Sequence, residues 1–329
     1  MKFKHIIRVN CPQCGEWNTA MVVKTPDYEI KTDEEYEVSR CLSCGNIYTS
    51  IRPDSTTLFT KHYPDDYICY GKKENFFGFN IDYMRIYSQA VERANLVNTY
   101  LPQKSHAILE IGCATGEFLK VGSQKFNWHV SGIEPNKKLC RKLSKEGFHV
   151  INTVMERARI SRNYYDAVCL FNVFEHVWDS AYSLRRINNF LKQNGLVVIE
   201  IPDFDAIARR IFGKYWFLYH LPRHLSHFNK ESLDILMKKT GFEPVVIQKQ
   251  FRPTVNALSL KYWAHEKVKL NFFKKFITEN NFFIIGIGFF FELFFNVCGN
   301  SNHIIAIYRK KRTVILTKSL LKIKKRNCA

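Results

Sequence analysis

An α/β chain with a parallel sheet is predicted by three observations. Apolar runs alternate with helix-like segments from Ala107 to Ile201; one run, Ala107 to Ile111, passes through the small-residue turn Gly112-Cys-Ala-Thr-Gly116 into an apparent helix; and a carboxylate, Glu134, closes the next run. Short apolar strands alternating with helices build crossover units, and crossover units build parallel sheets. The strands are expected near Ala107–Ile111, Val130–Ile133, His149–Ile151, Ala167–Phe171 and Leu196–Ile201, with a first helix over Tyr83–Tyr100. Ligands of such sheets lie outside the carboxyl ends of the strands, so the site is expected along that edge.

The turn narrows the ligand class. Gly112, Ala114 and Gly116 let backbone approach a ligand closely, and the following helix offers unpaired N–H groups. A dinucleotide fingerprint wants glycine where Ala114 and Glu117 stand, which disfavours NAD. Glu134, at a strand end, is placed to grip two ribose hydroxyls. Taken together, the acid Glu110, the turn Gly112-x-Ala114-x-Gly116 and the acid Glu134 resemble the class I S-adenosylmethionine-dependent methyltransferases, with Ala114 in place of the motif's middle glycine. The resemblance implies a Rossmann-like methyltransferase sheet and S-adenosylmethionine as cofactor. It assigns the cofactor to Glu110, Gly112, Cys113, Ala114, Gly116, Glu134, Pro135 and Phe171. Met155 and Glu156, just after the third strand, are placed to flank the adenine, with plain packing as the competing reading.

After the fourth strand, Phe171-Asn172-Val-Phe-Glu175-His176-Val177 carries three polar side chains to the edge where the acceptor would sit. His176, with an ordinary pKa near ~6.5, can take a proton from a hydroxyl or an acidic carbon while the methyl group is attacked; Glu175 and Asn172 would assist or orient. The bland reading is that Glu175 and His176 cap a helix. This loop is similar to those of sugar C-methyltransferases and of quinone-biosynthesis O-methyltransferases. Downstream, His220, Arg223, His224 and His227 cluster near Trp216 and Tyr219 and suggest an acceptor pocket, joined by Tyr67 from the aromatic segment. Arg223 is expected to face a diphosphate or carboxylate, with a solvated loop or a second zinc site as alternatives. The stretch His220 to Phe228 resembles one in methyltransferases of bacterial polysaccharide gene clusters. The resemblance extends over roughly Tyr63 to Lys310 and weakens outside the cofactor motifs.

Two knuckles, Cys11-Pro-Gln-Cys14-Gly15 and Cys41-Leu-Ser-Cys44-Gly45, stand at zinc-ribbon spacing. Four sulfurs close a tetrahedral site with no open position for water, so a structural Zn2+ is expected, with iron in a rubredoxin-like site as the alternative. The chain divides into a ribbon (1–58), an aromatic linker (59–82), a core (83–251), a hydrophobic insertion (252–302), a last core strand (303–312) and a basic amphipathic tail (313–329).

With 329 residues and 46% hydrophobic content the chain can bury a substantial core. Its net charge of +19 predicts an anionic partner. No secretory signal pattern opens it, so it is expected to be cytoplasmic with reduced thiols. The Phe-rich run Asn281–Val297 is short for a bilayer span of about 20 residues. A helix lying on the bilayer or packed under the sheet is expected, which with the basic tail would place the protein at the inner face of the membrane. The leading expectation is methyl transfer to carbon or oxygen of a small-molecule sugar or glycan precursor, nucleotide-linked or lipid-linked. An RNA base methyltransferase is the enzymatic alternative, disfavoured because much of the charge sits in one tail; a non-catalytic scaffold with the same fold is the other.

Overall fold

The computed structural model describes residues 5–30, 34–63, 75–76, 79–101, 106–269 and 281–314. Strands β1 (Ile6–Arg8), β2 (Thr19–Pro26), β3 (Glu35–Cys41) and β4 (Ile47–Pro53) precede a short helix α1 (Ser55–Lys61), a two-residue hairpin β5 (Asn75–Phe76) and β6 (Phe79–Asn80), and the long helix α2 (Ile81–Tyr100). Then come β7 (Ala107–Ile111), α3 (Glu117–Phe126), β8 (His129–Ile133), α4 (Lys137–Lys145), β9 (His149–Ile151), β10 (Tyr165–Phe171), α5 (Ser180–Phe190) and β11 (Leu191–Pro202). The remaining elements of the described residues are α6 (Ile207–Phe212), β12 (Ser226–His227), α7 (Lys230–Lys239), β13 (Phe242–Gln250), α8 (Thr254–Lys267), α9 (Asn281–Val297) and β14 (His303–Lys310).

The central sheet has seven strands in the order β13-β14-β11-β10-β7-β8-β9. The five strands expected to be parallel are so, from β9 to β11. β14 inserts antiparallel between β11 and β13, making the sheet mixed. Helices cover both faces, so side chains of both parities must be apolar. Leu109, Ile111, Val168 and Ile199 pack with Leu184 of α5 and Leu233 of α7. Ile108, Ala167, Cys169 and Val198 pack with Ala94 of α2 and Phe118 of α3. Helix starts are locally encoded: the Asp179 side chain accepts from the Tyr182 N–H at 2.7 Å, and Asn229 and Ser232 form a reciprocal cap for α7.

The ribbon is not a bead on a tether. β12, from beyond the fifth parallel strand, pairs antiparallel with β4, bringing Ser226 opposite Tyr48 and His227 opposite Ile47. Tyr36, Val38 and Ile47 of the ribbon share one apolar cluster with Phe204, Trp216 and Tyr219. The described part of the ribbon is therefore packed into the core around β12.

The expected hydrophobic insertion is a helical pair, α8 with α9. Gly288 permits their close approach, since a Cβ there would stand 2.7 Å from the Ala257 nitrogen and 2.8 Å from the Pro253 oxygen. Glu292 is buried and accepts from Asn256 Nδ2 at 2.8 Å, from the Arg252 N–H at 3.2 Å and from the Asn302 N–H at 3.3 Å. Among the described residues no helix is long and apolar enough to cross a membrane. Tyr67 and residues 315–329 of the tail lie outside the described residues.

Candidate active site

A cleft of about 1030 Å³ opens at the carboxyl ends of β7, β8 and β10. Its floor is the turn after β7. Gly112 (φ +72°) and Gly116 (φ +77°) adopt left-handed backbone, and a Cβ on either would stand 2.4 Å from a methyl carbon, of Val173 and Leu143 respectively. Only glycine fits both positions. Ala114 also has positive φ (+44°), at a cost of roughly 1 kcal/mol.

Glu134, at the end of β8, is buried and holds this turn in place. Its Oε2 accepts from the Ala114 N–H at 3.0 Å and its Oε1 from the Asn136 N–H at 2.8 Å. Burial raises its carboxyl above the usual range, and the two N–H groups partly offset the rise. Glu110 is also buried and raised well above the usual range by burial; its Oε2 has no hydrogen-bond partner, and neither has Asn172 Oδ1. Orphaned acceptors beside a glycine cradle suit a ligand bearing amino and hydroxyl groups. Cys113, Pro135, Met155, Glu156 and Phe171 line the same cleft. Met155 is at once a lining residue and a core residue, so the two readings of it are not exclusive. Glu156 Oε1 accepts from the Trp178 N–H at 2.9 Å, tying the loop after β9 to the loop after β10.

Asn172 takes left-handed backbone (φ +56°) and donates its N–H to the Glu200 carbonyl at 2.8 Å, which turns Phe174–His176 across the cleft. His176 Nδ1 lies 3.0 Å from the Arg223 carbonyl and 2.9 Å from the Tyr63 hydroxyl. A carbonyl only accepts, so Nδ1 carries the proton and Nε2 keeps the lone pair. The ordinary histidine pKa expected from sequence does not hold: burial, followed by neighbouring His220, pushes His176 down to about 3. Glu175 moves the other way. It is buried, both carboxylate oxygens lack a hydrogen-bond partner, and burial pushes it up to about 8. Two adjacent groups driven apart in this way are both neutral near pH 7, one an acid and one a base. Glu175, His176 and His224 bring donor atoms within 4.8 Å of one another.

A folded pKa above the unfolded value means that the stability Glu175 contributes is present below pH ~4.5 and is lost as pH rises through about 8. Glu175→Gln is therefore expected to flatten the decline of the urea midpoint between pH 5 and pH 9. Parallel declines in variant and wild type would show that Glu175 is not a buried neutral acid.

The downstream cluster divides. His220 and His224 line the cleft. Arg223 does not face a substrate anion: its guanidinium is spent on Asp27, with Nη1 to Oδ2 at 2.8 Å and Nη2 to Oδ1 at 3.0 Å, and on Glu29. Its Nε donates to His220 Nε2 at 3.0 Å. His227 is turned away from the cleft, with Nε2 3.3 Å from the Thr49 hydroxyl on β4. Both residues join ribbon to core. Their sequence neighbourhood carried no sign of this, because the partners lie in the first 50 residues. Tyr63 was hidden for a related reason: it stands in the same aromatic run as Tyr67, and nothing local marks it as the residue that reaches His176. Phe59, Phe217, Leu258, Lys261 and Ile285 also line the cleft.

In the ribbon, Cys11, Cys14, Cys41 and Cys44 bring their sulfurs within 4.8 Å of one another, with Cys11–Cys44 and Cys14–Cys41 at 3.5 Å. A tetrahedral zinc with bonds of ~2.3 Å sets sulfurs about 3.8 Å apart, whereas a disulfide needs ~2.05 Å. Gly15 (φ +84°) and Gly45 (φ +76°) close each knuckle by donating N–H to the Cys11 and Cys41 carbonyls. The set is compatible with zinc.

Comparison with known proteins places these features. Residues 83–247 match a family described as a methyltransferase domain. A ubiquinone biosynthesis O-methyltransferase of Bradyrhizobium diazoefficiens is 30% identical over 131 residues, 37% of this chain and 51% of that protein. The chain thus spans about half the length of this curated relative. Phosphoethanolamine N-methyltransferase 2 of Haemonchus contortus, in complex with S-adenosyl-L-methionine, is 17% identical with a TM-score of 0.53, covering 88% of this chain and 71% of that one. The same enzyme with phosphomonomethylethanolamine and S-adenosylhomocysteine gives 18% and 0.51 over the same shares. The likeness to these structures is one of fold.

Proposed function

The chain belongs to the methyltransferase-domain family, and from that premise we propose that it transfers a methyl group from S-adenosylmethionine to oxygen or carbon of a small sugar or glycan precursor. One observation carries the reading: the Glu134 carboxylate and the Gly112–Gly116 turn form a single hydrogen-bonded unit at the strand ends, lined by orphaned acceptors on Glu110 and Asn172. When bound, S-adenosylmethionine supplies an electrophilic methyl group on a sulfonium. Glu134 would hold the ribose hydroxyls, Glu110 and Asn172 would accept from polar hydrogens of the ligand, and Met155 with Glu156 would border the base.

Methyl transfer is chiefly a matter of positioning. His176 Nε2 accepts the acceptor's proton as the new bond to carbon forms, and the Arg223 carbonyl holds the ring in that tautomer. Protonated Glu175 supplies a donor beside it. The hydroxyl-directed name of the Bradyrhizobium relative supports an oxygen acceptor, and the His220, His224, Tyr63 and Lys261 side chains on the wall suit a polar, hydroxylated one. The four cysteines would hold zinc in a structural role.

Calorimetric titration with S-adenosylmethionine and S-adenosylhomocysteine tests the reading. Saturable binding is expected, weakened roughly 30- to 150-fold in Glu134→Ala, because two charge-assisted hydrogen bonds that order the turn are lost, worth about 2–3 kcal/mol. No binding by well-folded zinc-loaded protein would sink it.

A further inference from the structure

Helix α9 wears its apolar face outward. Phe290, Phe294 and Val297 are 70, 65 and 79% exposed and fall at i, i+4 and i+7, a single stripe. Ile284, Gly288, Glu292 and Phe295 fall on another stripe, directed at α8 and the core. The buried side is fixed by the hydrogen bonds of Glu292 to Asn256, Arg252 and Asn302, so the helix cannot roll its phenylalanines inward without abandoning a buried carboxylate. A water-facing helix has the opposite arrangement, polar groups outside and apolar groups inside. An exposed aromatic stripe of this kind marks an interaction surface.

Charge identifies the partner. Trp263, Lys267 and Lys269 are all exposed at the end of α8, beside the start of α9. No acid follows Glu292 to the end of the sequence, while lysines and arginines recur. Aromatic side chains interleaved with cations match the boundary between acyl chains and anionic headgroups. Two copies meeting through this face would bring together chains that each carry +19.

We infer that α9 is an in-plane anchor: its Phe290, Phe294 and Val297 stripe enters the headgroup boundary of an anionic bilayer, with Lys267 and Lys269 on the lipid phosphates. The helix lies on the membrane and does not cross it. Ile285 lines the cleft from this same helix, so the acceptor wall of the cleft adjoins the anchored surface. The inference stands apart from the assignment of methyl transfer, since it concerns a face that carries no part of the cofactor cradle.

The test is flotation of full-length, zinc-loaded protein with phosphatidylcholine vesicles and with vesicles containing about a third phosphatidylglycerol. Wild type is expected to float with the anionic vesicles and to be released by high salt. The triple variant Phe290→Ser, Phe294→Ser, Val297→Ser is expected to lose partitioning at least ~tenfold while binding S-adenosylhomocysteine as wild type does. The charge variant Lys267→Glu, Lys269→Glu should lose the preference for anionic over neutral vesicles. Wild type that stays with the soluble fraction would overturn the inference. So would a triple variant that floats equally well, or a wild-type dimer in light scattering that the triple variant converts to a monomer, which would assign the face to a second copy. Unchanged cofactor binding in each case keeps the failure of the anchor distinct from failure of the methyltransferase reading.

Discussion

Turnover of His176→Ala is expected to fall roughly 10²- to 10⁴-fold, the contribution of a positioned general base, with affinity for S-adenosylhomocysteine unchanged. In the proposed mechanism Nε2 takes the acceptor's proton, while the Arg223 carbonyl and Tyr63 hydroxyl hold the other nitrogen. The pH profile adds a second readout. With the imidazole pushed down to about 3 by burial, the base form is present throughout the neutral range, so the acid limb of kcat/KM should fall below pH ~5 and not near the ordinary ~6.5. The same depression makes His176 a stabilising group above its unfolded pKa and a liability as pH falls through the range below it. Tyr63→Phe should keep most of the turnover, because the carbonyl alone still fixes the tautomer. Wild-type turnover in His176→Ala would remove the residue from the chemistry.

Asp27→Ala is expected to destabilise the zinc-loaded protein by about 3–5 kcal/mol, read from urea unfolding at neutral pH. Asp27 and Arg223 are each 1% exposed and meet in a two-pronged pair, with His62 Nδ1 3.0 Å from Asp27 Oδ2. Burial would raise the Asp27 carboxyl, yet His62 and Arg223 hold it well below the usual range. Its contribution to stability is therefore present above the unfolded pKa near ~3.8 and lost only as pH falls below it. Removing the carboxylate takes the two-pronged partner from a buried guanidinium and leaves it the Glu29 carboxylate on one nitrogen. Pairing Asp27→Leu with Arg223→Leu should recover part of the stability, since both members of the buried pair are then gone and Glu29 keeps His220 at 2.8 Å. A single-variant loss under about 1 kcal/mol would mean that water reaches Arg223 and that the pair is not closed.

The sequence made the parallel strands, the glycine cradle, Glu134 and the four cysteines legible because each is local: a periodicity, a turn or a spacing. The strand bounds near Ala107–Ile111 and His149–Ile151 coincide with β7 and β9. Arg223 and His227 were misleading for the opposite reason. A cationic side chain in a histidine-rich stretch reads as an anion receptor until a carboxylate 196 residues earlier is seen to occupy it. His176 was legible by position but not by protonation, since burial is a property of the assembled fold. Glu175 shows the same gap: its two unpartnered oxygens follow from what surrounds it, not from its neighbours in the chain. Helix α9 hid its orientation because an almost wholly apolar run has no periodic face; the lone acid Glu292 set which side went in.

The pairing of β12 with β4 has a consequence for synthesis. The Thr49 hydroxyl meets His227 across 178 residues of sequence, and at about 5–20 residues per second a ribosome needs roughly 10–35 s to supply that partner. Through that interval the emerging ribbon would have its own four strands and its metal-sized knuckles to organise it, while Asp27 and Glu29 wait, hydrated, for a guanidinium not yet made. The ribbon, made well before its partner strand, is thus among the last parts to be sealed into the finished molecule.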